Sequence, residues 1–262
     1  MPRATNRSKT NWDVHHLPTT PLAEKPMKSN QTPLRLQLTE DGSSTIIQGD
    51  QTSSESYHST RGALSEARYV FARYGLGTWL DAHPLATPAR PIRILEYGLG
   101  TGLNLLATME LTLASKLPFS YEGLEAHPLP ENLLAQMQLG DADQAAVALW
   151  RKAMNAPWDT PLSLSPTIHL NKRNIRFQDF TPHPASQDIV YFDAFSPSTR
   201  PELWTAEIFQ KAHHALAPSG ILVTYSASGL AKRALRAAGF HVQRLPGALG
   251  KHHMLLARKQ NR

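Results

Sequence analysis

Three glycines alternate with other residues where a predicted strand gives way to a predicted helix. They are Gly98, Gly100 and Gly102, and the carboxylate of Glu96 stands just ahead of them. Glycine lets the backbone turn tightly and lets a ligand approach it closely, and the start of a helix offers unpaired N–H groups. The dinucleotide fingerprint places its third glycine one residue later, where this chain has Leu103. The spacing, with Glu96 ahead of it, favours binding of S-adenosylmethionine over NAD; the alternative is an ordinary tight turn.

Two further carboxylates follow later strands and complete a candidate nucleoside site. Glu125 ends the next predicted strand, 23 residues beyond the last glycine, where a carboxylate can accept both ribose hydroxyls of a nucleoside. Asp179 and Phe180 come just after a predicted strand at 174–177. We expect Asp179 to accept the adenine amino group and Phe180 to pack on the adenine ring. Otherwise, Asp179 is a turn residue and Phe180 a core aromatic.

A fourth carboxylate, Asp193, closes a buried predicted strand at 188–192 and is followed by Phe195 and Pro197. Ligands in open α/β sheets bind beyond the carboxyl ends of the strands. We therefore expect Asp193 to lie on the same edge as the glycine turn and to hold the nitrogen of an acceptor amine. The alternative for Asp193 is a helix cap or a loop residue.

Strands and helices must alternate to position these residues. The predicted strands are 92–95, 119–124, 168–170, 174–177, 188–192 and 221–225, the predicted helices are 103–114, 202–216 and 229–238 with helical stretches within 129–154, and a strand pair at 240–245 and 254–257 closes the chain. Such alternation implies right-handed crossovers. The predicted fold is α/β and Rossmann-like, with a mostly parallel sheet, helices on both faces and a C-terminal antiparallel strand.

The chain before this domain divides into two parts. Residues 1–33 hold five prolines among polar residues and are predicted to be a flexible lead-in. Residues 34–90 form a small extension, with a β-hairpin at 34–38 and 45–48 and a helix from Ala63 to Tyr74 that ends at Gly75. The predicted α/β domain then occupies residues 91–262.

Charge is distributed unevenly along the chain. Residues 229–262 contain eight basic and no acidic side chains, whereas residues 34–228 sum to −5. A basic end on an acidic body predicts a polyanionic partner, with nucleic acid the first candidate, and a solvated surface is the alternative. The expected phosphate contacts are Lys232, Arg233, Arg236 and Lys251.

Several classes of protein are excluded by composition. The sequence has no cysteine, which excludes disulfides, thiolate zinc sites and cysteine nucleophiles. The 12 histidines include no H-E-x-x-H pattern, so we expect no metal, and a serine hydrolase would need a G-x-S-x-G that is not found. No stretch approaches 18 consecutive apolar residues and the start lacks the apolar core of a signal peptide. We therefore expect a cytoplasmic protein with no membrane partner.

An ordered series of motifs resembles one known family. The motifs are Asp188–Pro197, Arg200–Thr205, Gly220–Tyr225, Gly229–Arg233, Ala238–Phe240 and Pro246–Lys251, preceded by Tyr57–Ala63, Glu66, Tyr69–Phe71 and Glu125–Leu129. From about residue 55 to residue 257 they are similar to the methyltransferase part of MnmC, which completes 5-methylaminomethyl-2-thiouridine at the wobble position of tRNA. An ordered series of this length is far more specific than a single glycine motif.

The resemblance implies a class I methyltransferase fold, S-adenosyl-L-methionine as methyl donor and 5-aminomethyl-2-thiouridine in tRNA as acceptor. It implies that the three glycines bind the methionine end of the cofactor, Glu125 the ribose and Asp193 the acceptor amine. Residues expected to shape the base pocket are Tyr57, Glu66, Phe195 and Trp204.

Two features depart from the family pattern. The family usually has Gly-Lys-Arg-Glu-Met near its end, where this chain has Gly250-Lys-His-His-Met254. The oxidase half that some members carry is also missing from the sequence, so the expected form is a stand-alone methyltransferase whose aminomethyl precursor separate enzymes supply. The alternatives are a methyl- or aminopropyl transferase for small-molecule amines and a non-catalytic RNA-binding relative.

Overall fold

The computed structural model of the protein describes residues 33–50, 54–83 and 90–259, so the predicted lead-in lies outside the described residues except for Pro33. A small antiparallel sheet comes first, with strand order β1-β2-β3. Its strands are β1 (Leu34–Leu38), β2 (Ser44–Gly49) and β3 (Ser54–Ser56). The predicted hairpin is confirmed by the pairing of β1 with β2, and β3 is an additional strand that the sequence pattern did not indicate.

Eight further strands form one sheet. They are β4 (Ile92–Tyr97), β5 (Phe119–Glu125), β6 (Leu162–Ser165), β7 (Ile168–Asn174), β8 (Gln187–Phe192), β9 (Leu216–Thr224), β10 (Phe240–Pro246) and β11 (His253–Lys259). The strand order is β10-β11-β9-β8-β4-β5-β7-β6. The five central strands run parallel, while β6, β10 and β11 pair antiparallel. The predicted mostly parallel α/β sheet with an antiparallel C-terminal end is confirmed.

Helices pack on both faces of this sheet and create two apolar cores. The helices are α1 (Ala63–Ala67), a π-helical segment (Arg68–Gly77), α2 (Thr78–Ala82), α3 (Leu103–Ser115), α4 (Glu131–Ala135), α5 (Gln144–Met154), a 3₁₀ turn (Pro201–Leu203), α6 (Ala206–Ala215) and α7 (Gly229–Ala237). The core on one face includes buried residues of α1, α3 and α5, and the core on the other includes those of α6 and α7. Within the described ranges, no helix has the length and apolarity needed to cross a membrane.

The carboxyl ends of the central strands meet at one edge. Tyr97 of β4 lies opposite Leu124 of β5 and Phe192 of β8. The residues that follow these three strands are therefore neighbours, which is why Gly98, Glu125 and Asp193 come together at this edge although they are far apart in sequence.

The predicted end of the first helix at Gly75 is wrong. The chain stays helical through Gly75 and Gly77 to Ala82. A methyl group added at Gly75 would lie 2.8 Å from Tyr191 Cε1 and 2.9 Å from Val223 Cγ1. Glycine is therefore needed at position 75 for close packing of the helix on the sheet and not for a cap.

Two other predicted elements also differ in the structure. The expected strand at 168–170 extends to Asn174 as β7, whose antiparallel partner is β6. The expected strand at 174–177 is wrong, because the chain leaves the sheet after Asn174 and turns. The expected helix at 202–216 is a 3₁₀ turn followed by α6. Thr205 separates them because its Oγ1 accepts a hydrogen bond from Ile208 N at 3.4 Å, which starts the new helix.

Candidate active site

A cleft of about 920 Å³ opens at the edge where β4, β5 and β8 end. The glycine turn, Glu125 and Asp193 line it, and so do residues of the small N-terminal sheet and of the loop that precedes β11. The volume suits a small-molecule site. Four residues that were predicted for the site, at the ends of three different strands, thus share this cleft: Gly98, Gly100, Glu125 and Asp193.

Each glycine of the turn has its own reason to lack a side chain. All three have positive φ, between 48° and 93°. A methyl group on Gly98 would lie 2.5 Å from the backbone oxygen of Asp193, and one on Gly102 would lie 2.5 Å from Met154 Sδ. Gly100 faces the cleft beside the ring of Tyr57. Gly98 and Gly100 therefore present bare backbone to the cleft, while Gly102 lets the start of α3 pack on α5.

Glu125 is held in place by two backbone N–H groups, one of them in the glycine turn. Its Oε2 accepts a hydrogen bond from Gly100 N at 3.0 Å, and its Oε1 accepts one from His127 N at 2.9 Å. Burial raises the pKa of Glu125, an effect that these two N–H donors oppose. Each carboxylate oxygen keeps a second lone pair, so Glu125 can still accept hydroxyl groups of a ligand in the cleft.

Asp193 lies at the end of β8, half-buried and facing the cleft. Its Oδ2 accepts a hydrogen bond from Asn104 Nδ2 at 2.7 Å. Burial raises the pKa of Asp193 to about 7, with Asn104 opposing the rise and the carboxylate of Glu66 adding to it. The group therefore changes protonation state near neutral pH, which is the range that suits an acid or a base.

Glu96 lies behind the turn, fully buried, and does not line the cleft. Its Oε1 accepts from Asn104 Nδ2 at 2.6 Å and its Oε2 from the Tyr121 hydroxyl at 2.8 Å. Burial raises the pKa of Glu96 well above its usual range, and nearby Asp193 adds to this rise. The sequence predicted that Glu96 binds the cofactor, but the buried carboxylate is connected to the cleft through Asn104, which also bonds to the cleft residue Asp193.

Sequence reasoning missed Asn104. Its position in the sequence offers one signal, because asparagine is a poor helix former and stands here among Leu103, Leu105 and Leu106 at the start of α3. Nothing in the sequence indicated that this amide would join two carboxylates from different strands.

The small N-terminal sheet supplies one wall of the cleft. Glu55 Oε1 accepts hydrogen bonds from Ser196 N at 3.0 Å and from Thr199 Oγ1 at 2.6 Å, and so holds the loop after Asp193. The rings of Tyr57 and Phe195 meet edge to face with their centroids 4.9 Å apart. The segment from Glu55 to Tyr57 therefore shapes the acceptor side of the cleft.

Glu66 and Lys251 form an ion pair on the same side. Lys251 Nζ lies 2.5 Å from Glu66 Oε1 and 4.8 Å from the centroid of the Tyr225 ring, and Glu66 is only 5% exposed. Both residues line the cleft. Lys251, predicted as a phosphate contact, therefore lies at the cleft with its ammonium group paired to a buried carboxylate.

Phe180, Asp179 and Trp204, which were also predicted for the site, do not line the cleft. Phe180 is buried in the core beside Tyr97, and Asp179 is exposed in an ion pair with Arg176, Nε to Oδ2 2.6 Å. The backbone turns after β7 so that Phe177 and Gln178 face the cleft instead. Trp204 is fully buried and donates from Nε1 to the Phe195 oxygen at 2.8 Å, so it supports the loop and does not offer a stacking face.

The remaining predicted residues lie on α7. Arg233 and Arg236 are exposed and Lys232 is half-buried, and none of the three lines the cleft. They form a basic surface on a helix that follows the cleft residue Tyr225 by a few positions.

Known proteins are similar to this chain in sequence and in fold. Residues 165–260 match a family model described as S-adenosyl-L-methionine-dependent methyltransferase. The tRNA 5-methylaminomethyl-2-thiouridine biosynthesis bifunctional protein MnmC of Aromatoleum aromaticum is 31% identical over 243 residues, which cover 87% of this chain and 36% of that protein. The protein of the same name from Aeromonas hydrophila is 32% identical over 215 residues, or 76% of this chain and 32% of that protein. This chain carries an MnmC-like methyltransferase domain.

A solved structure supports the MnmC-like fold. MNMC2 from Aquifex aeolicus matches with a TM-score of 0.69 at 24% identity, over 89% of this chain and 72% of that one. The chain spans about a third of the length of the MnmC relatives described above. Their shared domain, and not the whole of those proteins, is what the likeness covers.

The residues of this MnmC-like domain fit the cofactor of the family, S-adenosyl-L-methionine. The bare backbone at Gly98 and Gly100 leaves one side of the cleft open to a close ligand, and Glu125 keeps free lone pairs there. Side chains at either glycine would meet Asp193 or Tyr57. The cleft can therefore hold a nucleoside at Glu125 and a charged tail at the turn.

Proposed function

We propose that the protein methylates the aminomethyl nitrogen of 5-aminomethyl-2-thiouridine at the wobble position of tRNA. The observation that carries the proposal is the convergence of the glycine turn and Asp193 on one cleft, with Gly98 packed against the backbone of Asp193. A methyl donor beside the turn and an amine beside Asp193 would then be neighbours. The MnmC relatives, whose name specifies this modified nucleoside, support the choice of acceptor.

We assign the cofactor to the side of the cleft formed by Gly98, Gly100 and Glu125. The glycines would border its methionine end and Glu125 its ribose, while Phe177 and Gln178 take the place first expected for Phe180 and Asp179. When bound, S-adenosyl-L-methionine supplies an electrophilic methyl group on a sulfonium. The protein's own part is to hold the acceptor nitrogen in line and to remove its proton.

Asp193 is the group suited to receive that proton. An alkylammonium has no lone pair with which to attack, and a carboxylate within hydrogen-bond reach can take one proton and orient the rest of the amine. The raised pKa of Asp193, about 7, makes it a stronger base than an ordinary aspartate. Because positioning of reacting groups supplies much of enzymatic rate enhancement, the fixed carboxylate serves both purposes.

The base carrying the amine would lie against Tyr57 and Phe195. Sequence-specific RNA recognition favours unstacked single-stranded bases that pack on aromatic rings, and these two rings border the acceptor side of the cleft. Glu66, paired with Lys251, lines the same side of the cleft. Basic residues of α7 are assigned to the tRNA backbone, because phosphate contacts require exposed cations.

Incubation of the protein with labelled S-adenosyl-L-methionine and with tRNA that carries the unmethylated aminomethyl uridine tests the function. Label should enter the tRNA, and nucleoside analysis should find it in the 5-methylaminomethyl form. Parallel reactions contain a polyamine in place of tRNA, or tRNA without the aminomethyl group. Transfer to the polyamine alone would identify a small-molecule enzyme, and binding of tRNA without any transfer would identify a non-catalytic relative.

A further inference from the structure

The amide of Asn104 connects two carboxyl groups on neighbouring strands. Its Nδ2 lies 2.6 Å from Glu96 Oε1 at the end of β4 and 2.7 Å from Asp193 Oδ2 at the end of β8. One amide nitrogen has two hydrogens, so each carboxyl group receives one. Both of the amide's donors are thus used on the acidic groups beside the glycine turn.

The orientation of this amide is set by the carboxyl groups alone. Among the described residues, no hydrogen bond reaches the buried Asn104 Oδ1. The opposite orientation would aim that oxygen at both carboxyl groups and would give up two bonds to acceptors. The Asn104 side chain therefore donates to both Glu96 and Asp193 while its own oxygen stays unpaired. Packing of α3 alone would not require this orientation of the amide.

Only one oxygen of Asp193 is held in this way. Oδ2 is bound by Asn104, while in the described part of the chain no hydrogen bond reaches Oδ1, and the side chain borders the cleft. A carboxylate anchored at one oxygen has a fixed direction for the lone pairs of the other. That arrangement suits a base that must meet a nitrogen at one point.

Other charged and titratable groups also face this unit. Glu66 of α1 and Lys251 of the C-terminal loop act on Asp193. Burial raises the pKa of the Tyr225 hydroxyl, and Asp193 adds to this rise. Glu125 of β5 acts on Glu96, and Tyr121 closes its far side. Glu66 and Lys251 have opposite charges and pair with each other, so their effects on the pKa of Asp193 oppose each other. The hydrogen bond from Asn104 is therefore the contact that stabilises the ionised form of Asp193 over its protonated form.

We propose that Asn104 is a positioning residue that anchors Asp193 to Glu96, so that the free oxygen of Asp193 takes the proton of the acceptor ammonium. In this step an N–H bond of the ammonium breaks, its electron pair stays on nitrogen, and the proton bonds to Asp193 Oδ1. Glu96, held by Asn104 and Tyr121, fixes the amide from behind. The proposal rests on the proposed function, because it concerns the acceptor amine of that reaction.

Substitution of Asn104 should change the pH dependence of the rate in a defined direction. Asn104→Ala removes a donor to the ionised form of Asp193, so the midpoint of the acid limb of kcat should rise by about one pH unit. Asn104→Asp keeps the shape but adds a third carboxyl group, so its midpoint should rise further. A merely structural role would make the isosteric aspartate the milder change and would leave the midpoint where it was.

The matched control is Thr112→Val, on the same helix. Thr112 is also buried, and its hydroxyl bonds only to the helix backbone, so its loss tests disturbance of α3 without touching either carboxyl group. Binding of S-adenosylhomocysteine, measured by calorimetry, should stay within about twofold for all three variants, since Asn104 does not line the cleft. The plateau rate of Asn104→Ala should fall on the order of tenfold, because Asp193 is then free to turn.

The wild-type protein is assayed first on the same aminomethyl-bearing tRNA. Two results together would support the proposal. The wild type transfers the methyl group, and the midpoint of the acid limb is highest for Asn104→Asp, lower for Asn104→Ala and at the wild-type value for Thr112→Val. An active wild type whose Asn104 variants keep its midpoint, or whose Thr112→Val shifts as far, would overturn the role of Asn104 alone. No transfer by the wild type would overturn the proposed function and this inference with it.

Discussion

Three carboxylates at one sheet edge differ sharply in what surrounds them. Glu96 is sealed behind the turn, Glu125 bonds to backbone N–H groups, and Asp193 is held by a single amide and faces the cleft. The sequence could place Glu125 and Asp193 at this edge because each follows a buried strand. It could not separate their environments, since these depend on Asn104 and on neighbours distant in the chain.

Asp193→Ala should leave cofactor binding nearly unchanged and should reduce methylation on the order of 10²–10³-fold, because the acceptor loses its base. In the wild type, activity should fall as the pH drops below about 7. Asp193, whose pKa is raised to about 7, is then protonated and cannot take the proton of the acceptor ammonium, so the nitrogen has no lone pair with which to attack. Calorimetry with S-adenosyl-L-methionine and a pH profile of kcat check both parts.

The control for Asp193 is Asp179→Ala, which removes an exposed carboxylate outside the cleft lining. It should keep near wild-type activity and the same pH profile. Full activity of Asp193→Ala would remove Asp193 from the mechanism.

At the scale of elements, the regular strands and helices could be predicted from the sequence. The features that could not be predicted depend on close contacts between distant parts of the chain. The alternation of strands with helices was sufficient for the parallel sheet, because β4, β8 and β9 contain runs of apolar residues that the sequence pattern identifies. Phe180 and Trp204 could not be assigned from sequence, because an aromatic in a core and an aromatic in a cleft look alike there. The three-residue strand β3 is polar and short, so no periodicity indicated it, although its Glu55 holds the acceptor loop.

The two glycines of the long helical segment provide a paired test of packing. Gly75→Ala should lower the free energy of unfolding by about 1–2 kcal/mol, because the new methyl group would press on Tyr191 and Val223 in the sheet and overpacking outweighs the better helix propensity of alanine. Gly77→Ala should raise it by about 0.5–1 kcal/mol, since there the methyl group would meet only Ala72 O at 3.6 Å.

Urea unfolding of the two variants beside the wild type measures the difference. Equal stabilisation by both substitutions would show that the helix does not approach the sheet at Gly75 as closely as described.

At the scale of the whole molecule, an acidic cleft lies in a chain whose C-terminal segment is basic. Five acidic side chains line the cleft, Glu55, Glu66, Glu125, Asp193 and Glu202, against three basic ones, Arg176, Arg200 and Lys251. This excess of acid suits a cationic amine, whereas residues 229–262 carry eight basic side chains, which suits a polyanion. The sequence predicted the basic end on an acidic body, residues 34–228, from charge counts alone. It could not show that Lys251, counted with the basic segment, pairs with Glu66 inside the cleft, because that contact joins residues 185 positions apart.

If the basic surface of α7 binds tRNA, affinity must fall steeply with salt, because each phosphate neutralised releases counterions. Replacing Lys232, Arg233 and Arg236 by alanine should weaken binding and reduce the slope of log affinity against log salt by about 2–3. The control replaces Arg35, Arg73 and Arg151, which are exposed but lie outside both the cleft lining and the basic segment, and it should keep the wild-type slope. Filter binding from low to moderate salt measures both variants. A wild-type affinity indifferent to salt, or equal slopes for the two triple variants, would place the tRNA contact elsewhere than α7.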